Sequence, residues 1–449
     1  MTNSAQLTLT PEKPATLKGL ATKVKVLMQV KAPSAPQNVE RQPLNLSVVL
    51  DRSGSMHGTP LERAKQCAQF VQSRLSATDR LSLVIYDDQV QVAASSQPAS
   101  PHSEYVSAVR AISSGGSTNL VGGWQAGNTQ VQNYASDFKD NRVLLLSDGM
   151  LNAGVTDREE IRGLCKEMAK QGIKTSTYGL GEHFDEEVMC LIAEETGGNA
   201  RYGEDVEDLP EGFIEELDLL ANLYSGQLTL SLQPAEGVEI EVANRFVKRG
   251  ERYMLPDLAY DAEVWAGLIL SVSPEAAESQ KPLLTVSVES GDDELHLSAE
   301  VGPLSILSPD AYEALVAEKG MTDYFAELDI AELKLAASDA ARKGQWDQVK
   351  PLLEQMMALP MTPVQVAELA ELEKLLAHRK QAIFAKESRL SASKSQRLMK
   401  ADLASYAISG TWVESVQGTV QAAAVPSYLR QKSRQGKAHV KDETSQTGD

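Results

Sequence analysis

The sequence predicts an α/β fold, a doubly wound and mostly parallel sheet, with an added β-sandwich and a helical C-terminal region. Three observations carry the prediction. Short Leu- and Val-rich runs alternate with amphipathic stretches over residues 44–222. Period-two alternation of apolar and polar residues replaces them over 223–307. Ala, Leu, Glu and Lys then dominate 308–405. Strands that alternate with helices imply parallel pairing with helices on both faces, whereas strict alternation marks half-buried strands.

Residues 1–43 read as an extended N-terminal segment. Lys23 to Val30 alternates polar and apolar for much of its length, and prolines at 33, 36 and 43 break the pattern. This strand is a candidate member of the sandwich, which would make the α/β part an insertion between two portions of one β module. In the α/β part the runs Leu44–Leu50, Leu81–Tyr86, Arg142–Ser147 and Lys174–Leu180 are the expected strands. Thr59-Pro60-Leu61-Glu62 offers an N-cap Thr, a Pro at the first helical position and a Glu three residues on. Leu61, Ala64, Cys67, Ala68, Val71 and Leu75 follow at helical spacing. Helices are also expected over Asp157–Gln171 and Asp185–Thr196, the second stopping at Gly197-Gly198. Over 223–307, Gln227–Leu232, Leu284–Glu289 and Glu294–Val301 alternate and are separated by Pro and Gly turns. Over 308–405 a helical hairpin or small bundle is expected, with Ala326, Ile330, Leu333, Leu335 and Ala336 as its buried face. Residues 406–449 form a tail that is almost free of apolar residues from Gln431 onward, a composition of disordered chain.

Composition narrows the function. The chain has 449 residues, 42% apolar and 23% charged, which is ordinary for a globular protein. A net charge of -19 argues against nucleic acid, which needs clustered Lys and Arg. No apolar run is long enough for a membrane span. The opening MTNSAQLTLTPEKP lacks a basic start followed by an apolar stretch. With only Cys67, Cys165 and Cys190 and no paired spacing, reduced thiols and a cytoplasmic location are expected.

The chemistry concentrates at strand ends. The first strand runs into Asp51-Arg52-Ser53-Gly54-Ser55, an Asp-x-Ser-x-Ser motif just ahead of a helix. In an open α/β sheet that edge is where ligands bind. Hydroxyl and carboxylate oxygens suit a hard cation, magnesium or manganese. Taken alone the motif is a weak signal, and a Ser-rich turn with helix caps is the better reading of it. A second Gly-rich loop, Gly115-Gly116-Ser117-Thr118-Asn119, adds a Thr, and Val143–Ser147 ends at Asp148-Gly149.

In this order and strand context the residues resemble the von Willebrand factor type A domain and its metal-ion-dependent adhesion site. The likeness covers roughly residues 44–222, with all five site positions present. It implies that Ser53, Ser55 and Thr118 contact the metal through hydroxyls, while Asp51 and Asp148 bind largely through water. It further implies an open coordination position that a partner's Glu or Asp fills. Residues 179–213 and the β-rich region after them are similar, less specifically, to bacterial-type and inter-α-trypsin-inhibitor heavy-chain-like members. The expected function is therefore metal-dependent protein binding, not catalysis. The expected partner is a protein presenting Glu or Asp, in a setting such as an AAA+ ATPase or a kinase and phosphatase signalling set. Met56, His57, Asn119 and Met150 are expected at the rim, and Asp87 and Asp88 in a turn.

Two other classes compete. One is a structural scaffold whose metal only fixes loops. The other is a metal-dependent phosphoryl hydrolase with Asp51 as nucleophile. The hydrolase is disfavoured because neither loop 51–58 nor loop 113–120 contains a Lys.

Overall fold

The computed structural model describes residues 4–36, 41–181, 184–203, 209–292, 294–317, 319–378, 381–396 and 399–401. His183 and the tail beyond Ala401 lie outside them.

The α/β part is one six-stranded sheet. Its order is Val90–Pro98, Arg80–Tyr86, Leu44–Asp51, Asp140–Ser147, Ile173–Leu180, Ala200–Gly203. All neighbours are parallel except the outermost pair, Arg80–Tyr86 with Val90–Pro98. Every residue of the three central strands is buried. Helices cover both faces, so Val48–Leu50 and Val143–Leu146 run apolar without alternation, while Asn45, Arg142 and Lys174 are buried polar residues of the same strands. The strand order reverses between Leu44–Asp51 and Asp140–Ser147. The crevice at their carboxyl ends is the switch point where such sheets bind ligands.

Helix Leu120–Gln132 lies on this sheet at close range. A Cβ at Gly123 would come within 2.5 Å of the Tyr86 ring, and one at Gly127 within 2.3 Å of Val49 Cγ2. Trp124 is fully buried, and its indole N–H donates to Thr175 Oγ1 at 2.9 Å. The glycines that make this fit possible also weaken the helical signal, so this helix is absent from the expected elements. The antiparallel strand Val90–Pro98 and helix Glu104–Ala111 are further additions to them.

Elsewhere the expected elements appear with local corrections. The first helix, Thr59–Ser73, is capped by Gly58 at φ 84°, not by Thr59. Helices Arg158–Lys170 and Glu186–Thr196 are capped by Asp157 and Asp185, and Gly197 ends the second at φ 85°.

Two antiparallel sheets flank this domain in the chain. Thr22–Lys31 pairs along its whole length with Ala262–Val272, and Gln6–Pro11 and Val238–Val242 extend that sheet. The α/β part is therefore inserted between two strands of one sheet. The other sheet runs Lys248–Arg249, Arg252–Met254, Thr229–Pro234, Leu284–Glu289, His296–Val301. On the outer face of the first sheet, Leu27 packs with Met321, Tyr324, Phe325 and Leu328 of helix Lys319–Arg342. Met399–Ala401, expected to be helical, is a strand paired with Ala262–Val272.

The described residues divide into two compact units, one within 1–331 and 390–400 and one within 332–389. In the second, helices Trp346–Met357 and Pro363–Ala377 join the end of Lys319–Arg342 and the start of Gln381–Gln396. Lys334 Nζ pairs with Glu368 at 2.7 Å, and Ser338 Oγ donates to the Ala385 carbonyl at 2.7 Å. Of the expected helical face, Ala326, Ile330 and Leu335 are buried, Leu333 is half-buried and Ala336 is exposed. Ala331, Lys334 and Ala337 are buried on this helix instead, one residue around from that pattern.

Candidate metal centre

Asp51 is the last residue of the central strand Leu44–Asp51 and is fully buried. Its carboxylate accepts from the Ser53 amide at 2.8 Å and from Ser147 Oγ at 2.7 Å. Ser53 is buried and Ser55 exposed. Their hydroxyl oxygens lie 3.1 Å apart, and Ser55 Oγ donates to Asp148 Oδ1 at 2.7 Å. Thr118 is buried too, and its amide donates to Asn152 Oδ1 at 2.7 Å. A Cβ at Gly149 would fall 2.8 Å from Thr118 Oγ1, so the hydroxyl stands directly against the backbone after Asp148. The five expected residues thus converge from three loops onto the switch point.

Backbone hydrogen bonds lock the loops to one another. Gly54 N donates to the Gly116 carbonyl at 2.9 Å, and Gly115 N to the Arg52 carbonyl at 2.7 Å. Asp87 supplies a second tie. Its carboxylate accepts from Gln89 N at 2.7 Å and Gly116 N at 3.3 Å and pairs with Arg52 at 3.1 Å, while its carbonyl accepts from Asn119 N at 2.8 Å. Asp87 shapes a turn, as expected, and also holds the first two loops together.

The electrostatics favour a cation. Burial pushes the Asp51 carboxyl up to about 6 even though hydrogen bonds from Ser53 and Ser147 pull it down, and the neighbouring Asp148 adds to the rise. A buried carboxylate in this state regains its ionised form most readily beside positive charge. Magnesium holds its oxygens at about 2.0–2.1 Å in an octahedron, so adjacent ligand oxygens lie about 3 Å apart. The 3.1 Å spacing of the Ser53 and Ser55 hydroxyls matches such an edge, and Asp148 stands behind them as the acceptor of the Ser55 hydroxyl. Among the described residues no three His, Cys, Asp or Glu side chains gather into a metal site. Hydroxyls backed by two carboxylates are therefore the donor set on offer here, and they suit a hard ion.

The von Willebrand factor type A domain family matches residues 45–215. These residues form a von Willebrand factor type A (VWA) domain. An uncharacterized Synechocystis protein is 30% identical over 220 residues, covering 48% of this chain and 51% of that protein. Inter-alpha-trypsin inhibitor heavy chain H1 of Sus scrofa is 29% identical over 236 residues, 47% of this chain and 26% of the heavy chain. The chain thus spans about half the length of the first relative and about a quarter of the second. In fold it is similar to a von Willebrand factor type A structure from Catenulispora acidiphila, with a TM-score of 0.69, 15% identity and coverage of 89% of this chain and 98% of that one. The ArnB paralog VWA2 from Sulfolobus acidocaldarius gives a TM-score of 0.58, 14% identity and coverage of 88% and 98%. VWA domains are typically protein-interaction modules and commonly bind a divalent metal at the adhesion-site loops.

The rim of the VWA site differs from the expected one. Met56 is fully buried and faces the core. Asn119 is half-buried, and its Oδ1 caps helix Leu120–Gln132 by accepting from Gly122 N at 3.1 Å. His57 is exposed, with Nδ1 3.1 Å from Ser114 Oγ, and Met150 is 53% exposed. Two residues join the site beyond the five expected, Ser147, which holds Asp51, and Asn152, which holds the Thr118 amide. A Ser at the end of a buried strand was the one available signal for Ser147. Nothing local marks Asn152.

Proposed function

We propose that the VWA domain binds a protein partner through a magnesium or manganese ion held at Ser53, Ser55, Thr118, Asp51 and Asp148. The ion supplies an electrophilic position for a Glu or Asp carboxylate of the partner. The observation that carries this reading is the run of oxygens from Ser53 through Ser55 to Asp148, at 3.1 and 2.7 Å, set above a buried Asp51. The hydroxyls would leave the ion most of its charge, and Ser147 and the Ser53 amide orient Asp51 behind them. His57 and Met150 are placed to meet the partner around its carboxylate.

The scaffold alternative gives the metal the task of fixing loops. The loops are already joined by Gly54–Gly116 and Gly115–Arg52 backbone bonds, which disfavours it. A hydrolase is disfavoured because Arg52, the cation within the first loop, is engaged by Asp87. Three buried cysteines, none of them joined in a disulfide among the described residues, support a reducing compartment, and we place the protein in the cytoplasm.

The test is retention of partners from native lysate by the full-length protein in magnesium, in chelator and as Asp51→Ala. A partner lost in both perturbed samples supports the reading. A partner retained in all three moves the interface away from the metal loops and refutes it.

A further inference from the structure

The outer edge of the VWA sheet has two unlike halves. Among the described residues, strand Val90–Pro98 pairs on one side only, with Arg80–Tyr86. Unpaired edge groups template further strands, so natural edges are guarded by charge, proline or bulges. The half far from the metal loops is guarded. Its register shifts between Leu81 and Leu83 and again between Leu83 and Val84, and Pro98 closes it. Ser96 also gives its amide to Gln130 at 3.0 Å and its carbonyl to Arg80 at 2.7 Å. The half beside the metal loops lacks these guards. Val90, Gln91 and Val92 pair in unbroken register with Tyr86, Ile85 and Val84. No charged residue occurs from Gln89 to Pro98, and Val90 and Val92 are 38% and 40% exposed.

We propose that this half-edge takes an extended segment of the partner by strand addition, and that the same segment carries the carboxylate to the metal loops. The inference rests on the proposed metal-dependent reading and names the form of its partner. The register Asp51↔Tyr86↔Val90 sets the metal loop and the open edge at one level of the sheet. An added strand would stand three inter-strand spacings from strand Leu44–Asp51, about 14 Å. An extended chain crosses that gap in about four to five residues. The occupant is therefore a segment with a short β-branched run about four to five residues from a Glu or Asp. Val90 and Val92, on one face at alternate positions, give that run its cross-strand side-chain pairs. An edge without charge sets no repulsion against an apolar run on an acidic segment.

The experiment uses the full-length protein and a fluorescent synthetic peptide of about twelve residues, with Val-Thr-Val spaced by about four residues from one Glu. Companion peptides carry N-methyl groups on the Val-Thr-Val backbone or Gln in place of Glu. The protein variant is Val90→Lys with Val92→Lys, and its response to magnesium is checked by thermal shift. In magnesium the parent peptide should bind, and N-methylation or the lysine pair should each weaken it roughly tenfold, the loss of about two strand hydrogen bonds. Binding that needs Glu and magnesium but ignores the lysines and N-methylation overturns the edge site and leaves the metal reading standing. Binding that needs the edge but ignores Glu and magnesium overturns the metal reading and, with it, the linked geometry. No peptide binding by protein that still responds to magnesium overturns the edge site. A sedimenting dimer that the lysine pair abolishes assigns the edge to a second copy of the chain and overturns the partner segment.

Discussion

The fully buried guanidinium of Arg142, on the strand that leads to Asp148, donates to the Asp257 carboxylate at 2.6 Å. Asp257 lies in the β-rich part of the chain after the VWA domain, and Lys174 pairs with it as well. Arg142 also donates to Glu216 at 2.6 Å, and Arg201 reaches Glu216 at 3.4 Å. The VWA domain is thus joined to the β module by a buried ionic network at the end of its sheet opposite the metal loops. Removing one member leaves an uncompensated buried charge. Asp257→Ala should cost roughly 3–5 kcal/mol in urea unfolding. A loss below about 1 kcal/mol would show that the network is not what holds these parts together.

The same network sets an acid limit. Burial alone would raise both carboxyls. At Asp257, Lys174 and Arg142 outweigh it, and at Glu216, Arg142 and Arg201 do, so both lie below their ordinary values of 3.8 and 4.5. Groups held low in the folded state stabilise it above their unfolded values, and the contribution fades as pH falls past them. The urea midpoint should drop from about pH 4.5 downward, less steeply in Asp257→Asn. Parallel curves for the two proteins would remove Asp257 from the effect.

Asp51 exchanges stability for binding. Its buried charge is costly without a cation, so Asp51→Asn should stabilise the metal-free protein by on the order of 2 kcal/mol while abolishing the magnesium-induced thermal shift. Thermal melts in chelator and in magnesium check both halves. A metal-free variant melting below the wild type would contradict the argument.

Helix Leu120–Gln132 tolerates no added bulk where it meets the sheet. Gly127→Val should destabilise by about 1–3 kcal/mol through its clash with Val49, and should displace Thr118 from the other site loops. Denaturant unfolding measures the first effect and loss of magnesium affinity the second.

The thiols of Cys67 and Cys165 are buried, and burial pushes both up to about 12. A thiol-specific chromogenic reagent at pH 8 should leave them unmodified in the folded protein and label them fully in denaturant. Fast labelling under native conditions would show that helices Thr59–Ser73 and Arg158–Lys170 open readily.

The sequence by itself determined the parts of this protein whose physics is local or periodic. Stretches buried on both faces, such as Val48–Leu50 and Val143–Leu146, are apolar without alternation, so these strands were readable. Asp157 and Asp185 announced their helices because a cap acts within a few residues. The five oxygen-bearing residues were legible because they stand at strand ends in a fixed order. Contacts between distant segments were decided only by the tertiary structure. Helix Leu120–Gln132 was hidden because close packing against Tyr86 and Val49 needs glycines, which are poor helix formers. Met56 read as a rim residue until the turn after Ser55 directed it into the core. Ser147 and Asn152 join the site because folding brings the ends of separate strands to one crevice. Arg142 and Asp257 are 115 residues apart, and no pattern in a linear sequence marks charges that meet only when folding buries them in one network with Lys174 and Glu216.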